Sequence, residues 1–209
     1  AHITPRFAGI VREVRRNVGD RVRKGDVLAV VESSESLAPY ELSTRIDGTI
    51  VAKHVTRGEA VDRQVFRASE FVQLFVDQFC QSERIDPSTL AVEIVGDPKI
   101  TFDNSHLSQV MWNLCRNALR YSKRQEGSVQ IAVEPGAAHG TVELSVIDDG
   151  PGVAESLRAH LFEPFFTTAS SGTGLGLYIA REVCEANGAN LSYVERPAGA
   201  QFMVVIKSV

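Results

Sequence analysis

Residues 105–121 read SHLSQVMWNLCRNALRY. Leu107, Val110, Met111, Leu114 and Ala118 recur at three- and four-residue steps, which is one buried stripe of an α-helix. Asp103, Asn104 and Ser105 offer N-caps for it. Asn113 and Asn117 stand four residues apart and share a face. That face lies beside the apolar stripe rather than opposite it. Neutral amide oxygens at the edge of a core suit a hard divalent ion such as Mg²⁺, which keeps several waters and takes further ligands from phosphates. Arg120, three residues beyond Asn117, is placed to reach a phosphate. Asparagine on a helix is more often solvated or capping, so the pair draws its meaning from what surrounds it.

Working outward, residues 129–133 and 142–147 alternate as strands, and 190–195 and 201–206 close the chain in the same way. A helix is expected at about 174–187, stopped by Gly188. Upstream, Phe71, Val72, Leu74, Phe75 and Phe79 mark one face of a helix over 65–80, and 90–95 and 99–102 read as strands around Gly96 and Asp97. Strands with helices gathered on one side make an α+β sandwich.

Three further segments carry chemistry. Residues 146–153 (VIDDGPGV) end an apolar strand in a carboxylate and a glycine turn. Asp148 there can accept from an exocyclic amine such as that of adenine, and Gly150 and Gly152 let backbone pass close to a flat ring. An ordinary Asp-Gly turn would look the same in isolation. Residues 172–177 (GTGLGL) open a helix, so their N–H groups and the helix dipole suit phosphate. No Walker lysine follows, and no βαβ unit surrounds the glycines. Between these lies 161–168 (LFEPFFTT), too short for a core of its own and suited to a lid pinned by aromatics.

The order of these four segments resembles the N, G1, F and G2 boxes of the histidine-kinase branch of the GHKL (Bergerat-type) ATPases, over residues 67–209. The short lid and Tyr178–Ile179–Ala180–Arg181 after the glycines are most similar to kinases of the nitrogen-regulatory and type IV pilus regulatory kind. The resemblance implies the ATP-binding catalytic domain (HATPase_c) of a two-component sensor histidine kinase at 65–209. It implies that Asn117 holds Mg²⁺ with Asn113 assisting, that Asp148 reads adenine, and that Gly150 and Gly152 shape its pocket. Gly172, Thr173, Gly174, Leu175 and Gly176 would cradle the phosphates with Arg120 as charge partner, and Phe162 and Thr168 would belong to the lid.

Two departures qualify it. Ala169, Ser170 and Ser171 stand where many such kinases carry a lid lysine. Asn113 stands where the ATPase branches place a glutamate base, and an amide cannot take a proton from water; this favours phosphotransfer over hydrolysis. None of His2, His54, His106, His139 and His160 has the setting of a phosphoacceptor, so autophosphorylation by this chain alone is not expected. A separate dimerisation hairpin with the acceptor histidine, and a response regulator, are the implied partners. His106 is expected to be an exposed or capping residue at the helix start.

Residues 1–64 read differently. Segments 9–14, 27–32 and 48–53 are short, rich in Val and Ile, and punctuated by Gly-Asp turns. Gly9 followed by Gly19–Asp20–Arg21–Val22 recurs as Gly48 followed by Gly58–Glu59–Ala60–Val61, which suggests two interlocking half-sheets. With Asp26, Val27 and the Asp47–Val51 stretch, this resembles the barrel-sandwich (biotinyl/lipoyl-like) domain of heavy-metal efflux periplasmic adaptors. The connection at 33–45 lacks the lysine of a cofactor carrier, so a binding module is implied, the alternative function being an efflux-adaptor-like module with the kinase half as a passenger. Adaptors work in the periplasm and kinases on cytoplasmic ATP, so a junction near 62–68 from a recombined or misassembled chain, a chimera, is expected, the alternative being a natural fusion that uses the β domain as an interaction module.

Composition excludes other classes. With 44% hydrophobic and 23% charged residues among 209, a globular chain is expected. A net charge of -4 gives no general attraction to nucleic acid or an anionic membrane. No apolar run is long enough to span a membrane. Cys80, Cys115 and Cys184 are too scattered for a disulfide framework or zinc site and read as small buried thiols. The absence of an initial methionine suggests a fragment or a processed product.

Overall fold

Glycine and aspartate turns punctuate the first fifty residues, and short strands form between them: β1 (Gly9–Val14), β2 (Arg21–Val22), β3 (Val27–Ser33), β4 (Tyr40–Ser43) and β5 (Gly48–Thr49). The computed structural model describes residues 9–16, 20–33, 40–44, 46–50, 63–168 and 173–209. The contacts divide the chain into two units, Ala1–Asp62 and Arg63–Val209. In the first, β3 lies between β1 and β4, all antiparallel. β2 pairs with β5, Val22 opposite Gly48, so residues from the two copies of the repeat lie side by side. Gly25, at φ 95°, turns the chain into β3, with Arg23 N–H on the Asp26 carboxylate at 3.1 Å. β4 falls inside 33–45, which the sequence presented only as a connection. Residues 51–62, with the rest of the expected third strand and the second turn of the repeat, lie outside the described residues.

The second unit begins with a strand that periodicity hides. β6 (Gln64–Arg67) precedes α1 (Ala68–Glu83), where a helix from Val65 was expected. Val65 and Phe66 are extended because they pair with β8 (Lys99–Phe102), which follows β7 (Leu90–Ile94). α1 starts where the Asp97 carboxylate accepts the Ser69 N–H at 3.0 Å. Its buried face is a ladder of rings, Phe71, Phe75 and Phe79, with centroids 6.1 and 5.6 Å apart. Leu74, placed on that stripe from the sequence, is 56% exposed instead. It stands about 100° from the Phe71–Phe75 row.

α2 (Asn104–Tyr121) is capped by Asp103, whose carboxylate accepts from His106 N–H. β9 (Val129–Pro135), β10 (Thr141–Asp148), α3 (Glu155–Arg158), α4 (Gly176–Ala186), β11 (Asn190–Val194) and β12 (Gln201–Lys207) complete the unit. The sheet order is β11-β12-β10-β9-β7, antiparallel except for the β7–β9 pair. Buried residues line up across it. Val142, Leu144 and Val146 oppose Ile206, Val204 and Phe202 on one side. Leu144 and Val146 oppose Val133 and Ile131 on the other. This face, with α1, α2 and α4, forms one core that includes the fully buried Leu107, Val110, Met111 and Leu114. By the same parity Asp148, the last residue of β10, belongs to the core-facing row. Among the described residues no helix is long and apolar enough to cross a membrane.

Candidate functional site

Strand parity forces Asp148 inward, and it is 5% exposed. Its Oδ1 accepts from Gly150 N–H at 2.9 Å and from Ala200 N–H at 3.2 Å. Oδ2 has no hydrogen-bond donor among the described residues. Burial pushes the carboxyl pKa up, and the two amide donors oppose that. Asp149 behaves in the opposite sense. Lys123 N–H, 2.9 Å from its carboxylate, and the Ser128 hydroxyl at 3.1 Å hold its pKa down.

The turn after Asp148 is packed tightly enough to require glycine. A Cβ on Gly150 would lie 2.5 Å from the Tyr121 carbonyl oxygen and 2.8 Å from Asp148 Oδ1. Gly152, at φ 77°, passes against the Gly199 carbonyl. Gly199, at φ 74°, has no room for a side chain against the Asp148 carbonyl oxygen. Sequence reasoning missed Gly199 and Ala200. Their only signal was the turn composition of Pro197–Ala198–Gly199.

The asparagine face of α2 meets the start of α4. Asn113 Nδ2 donates to the Gln109 carbonyl at 3.0 Å, and a Cβ on Gly176 would stand 3.2 Å from Asn113 Oδ1. Asn117 is half-buried one turn further on, and its amide has no hydrogen-bond partner among the described residues. Arg120 is exposed in the last turn. α4 begins at Gly176, and its first N–H groups, which have no intrahelical partner, meet no capping side chain among the described residues. Gly174, at φ 68°, presses on the Phe165 backbone. Thr173 is exposed and Leu175 half-buried. Gly172, with 169–171, lies outside the described residues.

α2 is thus the common wall. Asn113 meets the glycine start of α4, the Tyr121 carbonyl meets the turn after Asp148, and Tyr121 Oη is 3.1 Å from Thr168 Oγ1. Tyr121, one residue past Arg120, was not singled out from the sequence. Phe162 is not part of this wall. It stands edge-on to Phe202 at 6.3 Å, beneath the Arg181 guanidinium at 5.4 Å. It anchors the root of the 161–168 segment. A groove of about 240 Å³ lies between Glu134, Glu143, Arg196 and Gln201; of its lining residues Ile147 alone comes from the four segments, and none of the candidate site residues lines it. His106, expected exposed or capping, is buried at 7% exposure. Its ring is drawn inward by a bond to Asn187 that only the fold creates.

A sandwich of this topology, with an asparagine-bearing helix facing a buried strand-end aspartate and a glycine-started helix, is a Bergerat-type nucleotide-binding fold. The chain belongs to the family described as histidine kinase-, DNA gyrase B- and HSP90-like ATPase, whose model matches residues 102–209. A second model, the CzcB-like barrel-sandwich hybrid domain, matches residues 1–70. The chain is 38% identical over 204 residues to the sensor protein kinase PilS of Pseudomonas aeruginosa, covering 92% of this chain and 38% of PilS. That alignment runs past Arg63 into the first unit. Among solved structures, full-length ShkA in complex with AMPPNP is 25% identical with a TM-score of 0.59, covering 72% of this chain and 32% of ShkA. ThkA in complex with the response regulator TrrA is 25% identical with a TM-score of 0.58, covering 72% of this chain and 43% of that one. The chain spans about a third of the length of the curated sensor proteins it matches over most of its own length.

Proposed function

We propose that residues 65–209 are the ATP-binding catalytic domain of a two-component sensor histidine kinase, working on cytoplasmic ATP. The domain supplies the γ-phosphate to a histidine on a separate dimerisation hairpin. One observation carries the reading: a buried carboxylate, Asp148, spends one oxygen on two backbone amides while the other meets no donor among the described residues. In this reading Oδ2 accepts the exocyclic amine of adenine, and Gly150 and Gly152 keep the floor beneath the ring free of side chains. The uncapped start of α4, with Gly172, Thr173, Gly174, Leu175 and Gly176, donates backbone N–H groups to the phosphates, and Arg120 adds charge.

The residues fit a magnesium ion. The Asn117 amide has no hydrogen-bond partner among the described residues, and Asn113, one turn earlier, turns its oxygen toward the start of α4. Mg²⁺ bound there would neutralise charge on the β- and γ-phosphates. Asn113 and Asn117 would hold it, Thr168 and Tyr121 would tether the lid, and Phe162 would fix the lid root. With an amide at position 113 no side chain there deprotonates water, so the chain positions a phosphate for transfer rather than hydrolysis. ThkA engages a response regulator in its complex, and a response regulator is the expected final acceptor here.

Residues 1–64 are proposed to be a barrel-sandwich binding module, without a lipoyl or biotinyl lysine. Calorimetry with ATP and ADP, with and without Mg²⁺, tests the kinase reading. Binding strengthened by Mg²⁺ is expected for ATP. No binding at millimolar nucleotide overturns it.

A further inference from the structure

The helices that bring Asn113 to Gly176 are tied together again at their far ends by a buried polar cluster. Asn187, the C-cap of α4, is 5% exposed. Its Oδ1 accepts the Asp103 N–H at 3.1 Å. Its Nδ2 donates to the Val183 carbonyl at 2.9 Å and meets His106 Nδ1 at 3.0 Å. A backbone N–H only donates and a carbonyl only accepts, so the amide has one orientation. Nδ2 must therefore donate to His106 Nδ1, which is an unprotonated acceptor in a neutral ring.

The cluster joins the first turn of α2 to the last turn of α4. His106 lies about two turns before Asn113, and Asn187 about three turns after Gly176. Register fixed at this end is carried along both stiff helices to the other. A proton on Nδ1 would set two donors against each other. Flipping the Asn187 amide would then break both of its backbone bonds. The charged groups on the elements that meet here are the Asp103 carboxylate, which accepts the His106 backbone N–H, and Arg63, whose guanidinium donates to the Ala186 carbonyl at 3.1 Å. Glu185 on α4 is paired with Arg181 at 3.1 Å.

We propose that Asn187 and His106 are positioning residues for the nucleotide site: their neutral contact holds α2 and α4 in the register that brings Asn113 to the glycine start of α4, and charging the His106 ring weakens nucleotide binding. This rests on the nucleotide reading given above.

The experiment is ADP calorimetry across the pH range in which the full chain stays folded, on wild type and on His106→Asn. The asparagine Oδ1 stands where Nδ1 stood and accepts without titrating. Ionisation of ADP and of Asp148 is common to both proteins and cancels. Acidification through the imidazole range should weaken ADP for wild type by roughly five- to tenfold relative to the variant. Parallel curves overturn the inference alone. Absence of ADP binding by both proteins overturns the nucleotide reading and the inference with it.

A second measurement needs no variant. Linkage is reciprocal, so saturating ADP should make the wild-type His106 ring harder to protonate, read as a displaced NMR titration curve. An undisplaced curve overturns the inference even if His106→Asn fails to fold.

Discussion

Two adjacent aspartates are pushed in opposite directions by their surroundings. Burial raises the Asp148 carboxyl, so its protonated form is favoured in the fold. The stability this contributes is complete below the unfolded value, about 4, and is lost as pH rises through the folded value. Above the folded value the fold carries a buried charge. Asp148→Asn keeps the acceptor for Gly150 and Ala200 and replaces Oδ2 by a donor. Nucleotide affinity should fall by about 1–3 kcal/mol, while the melting temperature at pH 7 stays level or rises and its advantage shrinks below about pH 4. Calorimetry and thermal melts check both; a large loss of melting temperature at pH 7 would mark Asp148 as structural. Asp149 has the reverse sign. The Lys123 N–H lowers its pKa, so its contribution is present above the unfolded value and lost as pH falls through the folded one. Asp149→Asn should lower the melting temperature at pH 7 and flatten its decline in acid. Gly199→Ala places a methyl on the Asp148 carbonyl at positive φ. It should cost more than about 1 kcal/mol in denaturant melts.

Among the elements, α1 shows how far a pattern reaches. Its rings at 71, 75 and 79 and Trp112 of α2, 4.9 Å from Phe79, form one aromatic wall. Phe79 is fully buried and Leu74 largely exposed. Phe79→Ala should destabilise by about 3–5 kcal/mol, whereas Leu74→Ala should stay within about 0.5 kcal/mol. Equal losses in urea titrations would mean that α1 is rotated from this placement. The thiols behave as small apolar groups. Cys115 and Cys184 are fully buried, and burial pushes the Cys184 thiol up to about 12.

For the whole molecule, the boundary has a physical mark. Arg63 bonds to the end of α4 and Gln64 enters the ladder with β8. A chain starting at Arg63 should keep nucleotide affinity. One starting at Ser69 loses β6 and should melt at lower temperature. If removal of residues 1–62 abolishes binding in a folded protein, the first unit contributes to the site. The intact chain, incubated with γ-labelled ATP, should acquire no acid-labile, base-stable label. Transfer needs an acceptor held in line with the phosphate, and His106 is buried against Asn187. Label on this chain alone would show that an acceptor histidine lies within it.

The sequence by itself determined the order of the elements that carry the site, the core stripe of α2, the strand ending at Asp148 and the glycine start of α4, because period and turn chemistry are local. It placed Asn113, Asn117 and Asp148 on the right elements without showing that α2 is the wall they share. Only the tertiary structure decided that Val65 and Phe66 are strand, since their partner lies some 35 residues away in β8. Only it closed the loop of Gly199 and Ala200 over Asp148, and only it buried His106. Those outcomes depend on hydrogen bonds between residues distant in sequence, and no spacing along the chain encodes which donor will meet which acceptor.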